Sequence, residues 1–221
     1  FMTKTNNQPT GQAPEIGASQ IELLKKLCNA TAVSGDEHAV RQIVLEEIKG
    51  IADEVTVDAL GNVLATKLGR GENRVRVMLA AHMDEIGFMI VNKQDDGLFE
   101  FERIGGIDER QLPGKSVLVG REGLPGVIGA KPIHMTTASE RKNKIDVSAL
   151  RIDMGPGIGE KVVPGDRATF ATRFELLGPS IRAKALDDRF GVAILIELLK
   201  HPPEQIDLLL AFTVQEEVGL R

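Results

Sequence analysis

The run Val75-Arg-Val-Met-Leu-Ala-Ala-His82-Met-Asp84-Glu-Ile-Gly87 constrains the fold more than any other stretch of this chain. Apolar residues interrupted only by Arg76 predict a buried strand, and a histidine and an aspartate follow where it ends. Open α/β sheets present ligand sites at the carboxyl ends of such strands. The His82 imidazole suits a metal ion, and the Asp84 carboxylate two residues on can fix that ring. The alternative is a capping or hydrogen-bonded histidine at a strand end. What separates the two is whether the rest of the chain supplies His82 with partners.

Around this run the periodicities alternate. Ile21, Leu24, Leu27 and Cys28 recur at helical spacing over residues 19–30. Ser34 and Glu37 have the spacing of a capping box that would open a second helix with Val40, Ile43, Val44 and Ile48 on its apolar stripe. Residues 54–57 and 62–66 flank an Asp58-Ala-Leu-Gly61 turn and predict a hairpin. After Gly87 the texture changes. Phe88-Met-Ile-Val turns at Asp95-Asp96-Gly97 into Leu98-Phe-Glu-Phe-Glu-Arg-Ile, and short apolar runs follow at 116–119, 126–130, 150–154 and 168–171. Gly and Pro separate them, so a small β-barrel or sandwich is predicted, with only residues 136–142 helical. From Ser180 the α/β texture returns, with a strand at 181–185, a helix at 187–200 ended by Pro202-Pro203, and a buried strand at 206–214. The expected organisation is one α/β domain, residues 15–87 and 179–221, interrupted by a β domain at 88–178, behind a disordered leader at 1–14.

Three polar clusters fall at element boundaries of the α/β parts: His82-x-Asp84, Lys184-Ala-Leu-Asp187-Asp188-Arg189 and Gln215-Glu216-Glu217. The second has an ordinary explanation, since Asp is a preferred helix N-cap and acids suit the positive helix end. The third is harder to explain by capping, because two adjacent acids follow the most apolar strand. Together the three can converge on one crevice. One imidazole, several carboxylates and no thiolate suit Zn²⁺, Co²⁺ or Mn²⁺. A pair of such metals with a bridging carboxylate makes a clamp for hydrolysis, and a glutamate that is not a ligand can act as general base.

Composition removes other classes. A net charge of -5 over 221 residues gives no support for a nucleic-acid or anionic-membrane partner. No apolar run approaches the roughly 20 residues of a membrane helix, and residues 1–14 lack the apolar centre of a secretion signal. The single cysteine, Cys28, excludes an internal disulfide and fits a reducing compartment, so a cytoplasmic protein is expected. Phe1 ahead of Met2 points to an excised fragment or a cloning remnant.

The set His82-Met-Asp84-Glu-Ile-Gly, Lys184-Ala-Leu-Asp187-Asp-Arg and Gln215-Glu216-Glu217-Val-Gly-Leu-Arg, in this order, closely resembles the tetrahedral aminopeptidases. These are the glutamyl aminopeptidase family of dinuclear metallopeptidases. The resemblance runs from about Glu15 to Arg221. It implies an α/β fold of the zinc-peptidase type, a three-layer sheet with flanking helices, interrupted by a small β-barrel or PDZ-like dimerisation domain. It implies removal of N-terminal residues from peptides, with two divalent metal ions per subunit, Zn²⁺ or Co²⁺, and Mn²⁺ also admitted. His82 would bind one metal, Asp187 bridge both and Glu217 bind the other. Glu216 would be the general base, Asp84 would orient the His82 ring, and the Asp187–Asp188 peptide would be cis. Self-association through the β insertion into dimers and a dodecamer is implied as well. The family uses a further Asp and a further His beyond the second glutamate, and this sequence stops at Arg221, so the N-terminal portion of a longer enzyme is expected. His38, His134 and His201 are expected in surface or structural roles. A rival from another class is a catalytically incomplete chain that serves as an assembly module. A sugar substrate would need paired acid and nucleophile carboxylates, for which the sequence offers no case.

Overall fold

The strand Ile206–Thr213 (β12) is the centre of the main sheet, because its alternate residues are apolar on both faces and it has a hydrogen-bonded neighbour on each side. The computed structural model describes residues 16–94, 97–139, 142–143 and 145–219. In chain order the helices Ala18–Asn29 (α1) and His38–Ile48 (α2) come first, followed by the hairpin Glu54–Val57 (β1) and Val63–Lys67 (β2). The strand Val75–His82 (β3) carries the histidine. The sheet order is β1-β2-β12-β3, with β12 antiparallel to β2 and parallel to β3. Leu208, Leu210 and Phe212 of β12 enter one core with Leu23 and Leu27 of α1 and with Val40, Val44 and Ile48 of α2. Val192, Leu195, Ile196 and Leu199 complete it from the helix Leu186–Lys200 (α3).

Between β3 and α3 the chain closes a six-stranded barrel. Its strands are Gly87–Lys93 (β4), Leu98–Ile104 (β5), Ser116–Val119 (β6), Leu124–Gly129 (β7), Arg151–Asp153 (β8) and Arg167–Phe170 (β9), in spatial order β4-β5-β8-β7-β6-β9. Phe88, Ile90, Phe99, Phe101, Val117, Ile128 and Ile152 fill it. Phe88 meets Phe101 and Phe170 edge-on, with ring centroids 5.1 and 5.3 Å apart. The architecture is α/β with an inserted small barrel.

Four local expectations change. β3 is not buried: it has only β12 beside it among the described residues, and Val75 and Met78 are more than half exposed. An apolar run reports what suits burial, not what covers it. The strand at 181–185 shrinks to Ser180–Arg182 (β11), which pairs with Glu175–Leu177 (β10) as a separate two-stranded ribbon outside the main sheet. Ser34 does not cap α2, whose N-cap position is Glu37 with no side-chain cap bond; the Ser34 side chain is turned to donate to Asp84. Residues 136–139 are not helical, and a single 3₁₀ turn at Ile133–Met135 precedes them. The leader, the Asp95-Asp96 turn and the last two residues lie outside the described residues.

Candidate metal centre

The parallel register of β3 and β12 sets Thr213 opposite His82, so the polar residues that follow both strands emerge side by side at the carboxyl edge of the sheet. Gln215, in a left-handed conformation (φ 59°), reverses the chain into a 3₁₀ turn, Glu216–Val218. The third contribution comes from the start of α3. Asp187 and Asp188 have non-helical backbone, and the peptide between them is cis. Asp188 takes the capping role by accepting from the Gly191 N–H at 3.0 Å, and a Cβ on Gly191 would collide with that carboxylate. Asp187 is thereby free of capping and almost fully exposed, with its carboxylate turned to the histidine.

The donor atoms of His82, Glu216 and Glu217 lie within 4.8 Å of one another. The His82 Nε2 is 3.3 Å from Asp187 Oδ1 and 3.9 Å from Glu216 Oε2. Its Nδ1 donates to the Asp84 carbonyl oxygen at 3.2 Å, a bond that leaves the Nε2 lone pair of the neutral ring facing the acids. The Nδ1 is also 3.5 Å from Asp84 Oδ1. Asp84 itself is fully buried. Its carboxylate accepts from the Ser34 hydroxyl at 2.6 Å and from the Glu216 and Glu217 backbone N–H groups at 3.0 and 3.1 Å. Asp84 thus holds the histidine through its backbone carbonyl, and through its carboxylate the turn that carries the glutamates. Glu37 supports the same turn from below, accepting from the Gly35 N–H at 2.6 Å and from the Gln215 N–H at 3.2 Å.

The charges follow from this packing. Burial alone disfavours the imidazolium form of His82, but the hydrogen bond and charge of Asp84, with the charges of Asp188 and Glu216, raise its pKa to about 9. Burial would lift Asp84, and its bonds from His82, Ser34 and the two backbone N–H groups instead hold it at about 2. Desolvation raises Glu217, helped by the neighbouring acids Asp84, Glu216 and Asp187 and opposed by His82. Several acids around one imidazole that favours its protonated form make a site that favours a cation. With one ring nitrogen and carboxylate oxygens as donors, the set fits Zn²⁺, Co²⁺ or Mn²⁺. Gly105 (φ 84°) brings the barrel up to this edge, where a Cβ would meet the Ile86 side chain at 2.5 Å and Glu217 Oε2 at 3.2 Å.

His38, His134 and His201 are all exposed, and none joins the cluster. Ser34 and Glu37 are the residues whose part in the site the sequence did not disclose, because their spacing matched a helix cap.

A sequence profile of the M42 glutamyl aminopeptidases matches residues 61–221. The chain belongs to that family. Among M42 relatives, the lysyl aminopeptidase of Pyrococcus furiosus is 35% identical over 211 residues, covering 90% of this chain and 60% of the relative. Among solved structures, aminopeptidase APDkam598 from Desulfurococcus kamchatkensis superposes with a TM-score of 0.82 at 38% identity, covering 92% of this chain and 58% of that one. The Pyrococcus horikoshii TET1 peptidase, described as assembling into a tetrahedron or a large octahedral shell, gives 0.77 at 41%, covering 90% and 62%. The chain spans about three fifths of the length of the relatives it matches.

Proposed function

We propose that this chain carries part of the catalytic centre of a metal-dependent aminopeptidase that removes N-terminal residues from peptides. The observation that supports this best is the convergence of His82, Glu216 and Glu217 donor atoms within 4.8 Å, with Asp187 Oδ1 3.3 Å from the same imidazole nitrogen. In this reading His82, Asp187 and Glu217 would hold the divalent ions, Zn²⁺ or Co²⁺, two per subunit, and Asp84 positions His82. When bound, the ions supply Lewis acidity at the scissile carbonyl and make water a nucleophile at neutral pH.

The chain's own groups do the rest. Glu216 is partly exposed beside the ligand atoms, so its carboxylate can take a proton from the attacking water. As the water oxygen bonds to the carbonyl carbon and the C–N bond breaks, the same carboxyl returns that proton to the departing amine. The Asp84 hydrogen bonds to the Glu216 and Glu217 N–H groups fix where both carboxylates stand, so the base keeps its reach to the reacting atoms. A cleft of about 660 Å³ between the barrel residues Ile107, Gln111 and Phe170 and the Glu85–Ile86 and Lys184–Ala185 segments gives room for a peptide next to the turn that follows Asp84.

The dodecamer and the tetrahedral or octahedral shell formed by structural relatives support self-association, and the barrel domain exposes Val127 and Met135. We take the barrel to be the part through which copies of this chain dimerise. No helix among the described residues is long and apolar enough to cross a membrane. The test is release of free amino acid from short peptides by the full-length protein with Zn²⁺ or Co²⁺ added. Glu216→Gln should lower the rate by a factor of about 10²–10⁴, and an unchanged rate would exclude Glu216 as the base.

A further inference from the structure

Behind the metal centre lies a second set of charges that the proposed chemistry does not use. Glu85, Lys184 and Arg189 are buried, 2%, 7% and 0% exposed. Lys184 Nζ spends all three donors: two on Glu85 Oε1 and Oε2, at 2.7 and 2.8 Å, and one on the Ala30 carbonyl at 2.7 Å. Glu85 also accepts from the Ala32 N–H and from the Thr169 hydroxyl, both at 2.9 Å. Arg189 donates from Nη1 to the Leu27 carbonyl at 2.7 Å, and its Nη2 lies 3.6 Å from Glu85 Oε1.

Stability is a poor reason for this arrangement. A buried ion pair gains little over apolar side chains of equal volume, because desolvation offsets the attraction. Here two guanidinium nitrogens, Nε and Nη2 of Arg189, also lack hydrogen-bond partners among the described residues. The connections are the informative part. Glu85 follows Asp84 directly, Lys184 and Arg189 bracket Asp187 and Asp188, and Thr169 belongs to the barrel strand β9. The segment they clamp, from Leu27 to Ala32, leads through a Val33–Glu85 bridge into Ser34, which holds the Asp84 carboxylate. Glu85, Asp84 and Glu37 are the carboxylates whose charges support the Arg189 cation.

We infer that Glu85, Lys184 and Arg189 are positioning residues that fix the His82–Asp84 turn, the Asp187 turn and the barrel edge at one separation, and so set the metal geometry. This rests on the metal-centre reading above. The test compares wild type, Lys184→Met, the paired apolar replacement Glu85→Leu/Lys184→Met, and Thr169→Val in the full-length protein. Each is measured for thermal midpoint without metal, for Zn²⁺ affinity by calorimetry and for the visible spectrum of added Co²⁺. Lys184→Met removes the cation that gives Glu85 two of its four hydrogen bonds and should lower the midpoint most. The double variant removes the lysine–glutamate pair together but leaves Arg189 without its nearest carboxylate, so it should recover part of that loss, yet bind Zn²⁺ about 10–100-fold more weakly than wild type with a changed Co²⁺ spectrum. Thr169→Val, which loses one contact, should stay folded and show the same change in smaller degree. If affinity and spectrum return with the midpoint in the double variant, or Thr169→Val matches wild type in both, the cluster is only structural and the inference is wrong. If wild type itself does not bind Zn²⁺, the metal-centre reading fails and takes this inference with it.

Discussion

Asp84→Asn isolates the residue on which the site's geometry depends, because the shapes match while the charge and half of the accepting capacity disappear. The carboxyl is held at about 2 against an ordinary 3.8, which corresponds to about 2 kcal/mol of folding free energy at neutral pH. The direct contacts give a similar figure. The Asn amide group must face at least one of the Glu216 and Glu217 N–H groups, and a buried donor left without an acceptor costs about 1–3 kcal/mol. The two estimates describe overlapping contacts, so the expected loss is about 2–4 kcal/mol and not their sum. The sign with pH follows from the depressed folded pKa. The wild-type advantage is complete above the unfolded value of 3.8 and is lost as pH falls toward 2. Urea unfolding of both proteins between pH 7 and pH 3 should show the gap closing at the acid end. The His82 ring should also titrate well below 9 in the variant, read by NMR of its imidazole protons, since Asp84 is the main group raising it. A gap under about 0.5 kcal/mol, or one that does not change with pH, would refute this account of Asp84.

Metal affinity should depend on the His82 proton. With the folded pKa raised to about 9, Zn²⁺ must displace one proton at neutral pH, so its apparent affinity should rise about tenfold per pH unit from 7 toward 9. A flat profile in buffered calorimetry would count against His82 as a ligand. The same raised pKa makes the His82 contribution to metal-free stability complete below 6.5 and lost as pH rises through 9. Asp187 and Asp188 should separate cleanly in mutagenesis. Asp187→Asn, at an almost fully exposed side chain, should leave the thermal unfolding free energy within about 0.5 kcal/mol while weakening Zn²⁺ binding. Gly191→Ala, whose Cβ would push the Asp188 carboxylate off the Gly191 N–H, should cost about 0.5–2 kcal/mol through the lost cap, and equal stability effects of the two would refute the division of labour between the acids.

The sequence disclosed the elements whose pattern is local. The β1–β2 hairpin, the helix stripes and the short barrel strands each carry their signal within a few residues, and the barrel core of Phe88, Ile90 and Phe101 follows from alternation alone. Environment was hidden. β3 and β12 are similar apolar runs, yet among the described residues β12 has a strand on each side and β3 on one only, because strand order depends on pairings distant in sequence. Ser34 shows the limit most sharply. Its spacing from Glu37 satisfies the capping-box pattern, but the side chain turns to donate to a buried carboxylate 50 positions away and accepts no helix N–H, so a tertiary partner wins the competition with the local cap.

The same competition explains why the three polar clusters form one site. Each would be ordinary by itself: a strand-end histidine, a helix cap, a pair of loop acids. What joins them is a burial requirement. Asp84 has no access to water, so its charge must be met by donors, and those within reach are Ser34, the His82 ring and the N–H groups ahead of the two glutamates. Satisfying that one carboxylate draws β3, the α1–α2 connection and the end of β12 to a single point. Asp187 then enters because Asp188 meets the needs of the α3 N-terminus. The cation preference at the surface of the site is thus a consequence of how an anion beneath it is accommodated, and a variant that neutralises Asp84 should disturb stability, His82 titration and metal affinity together.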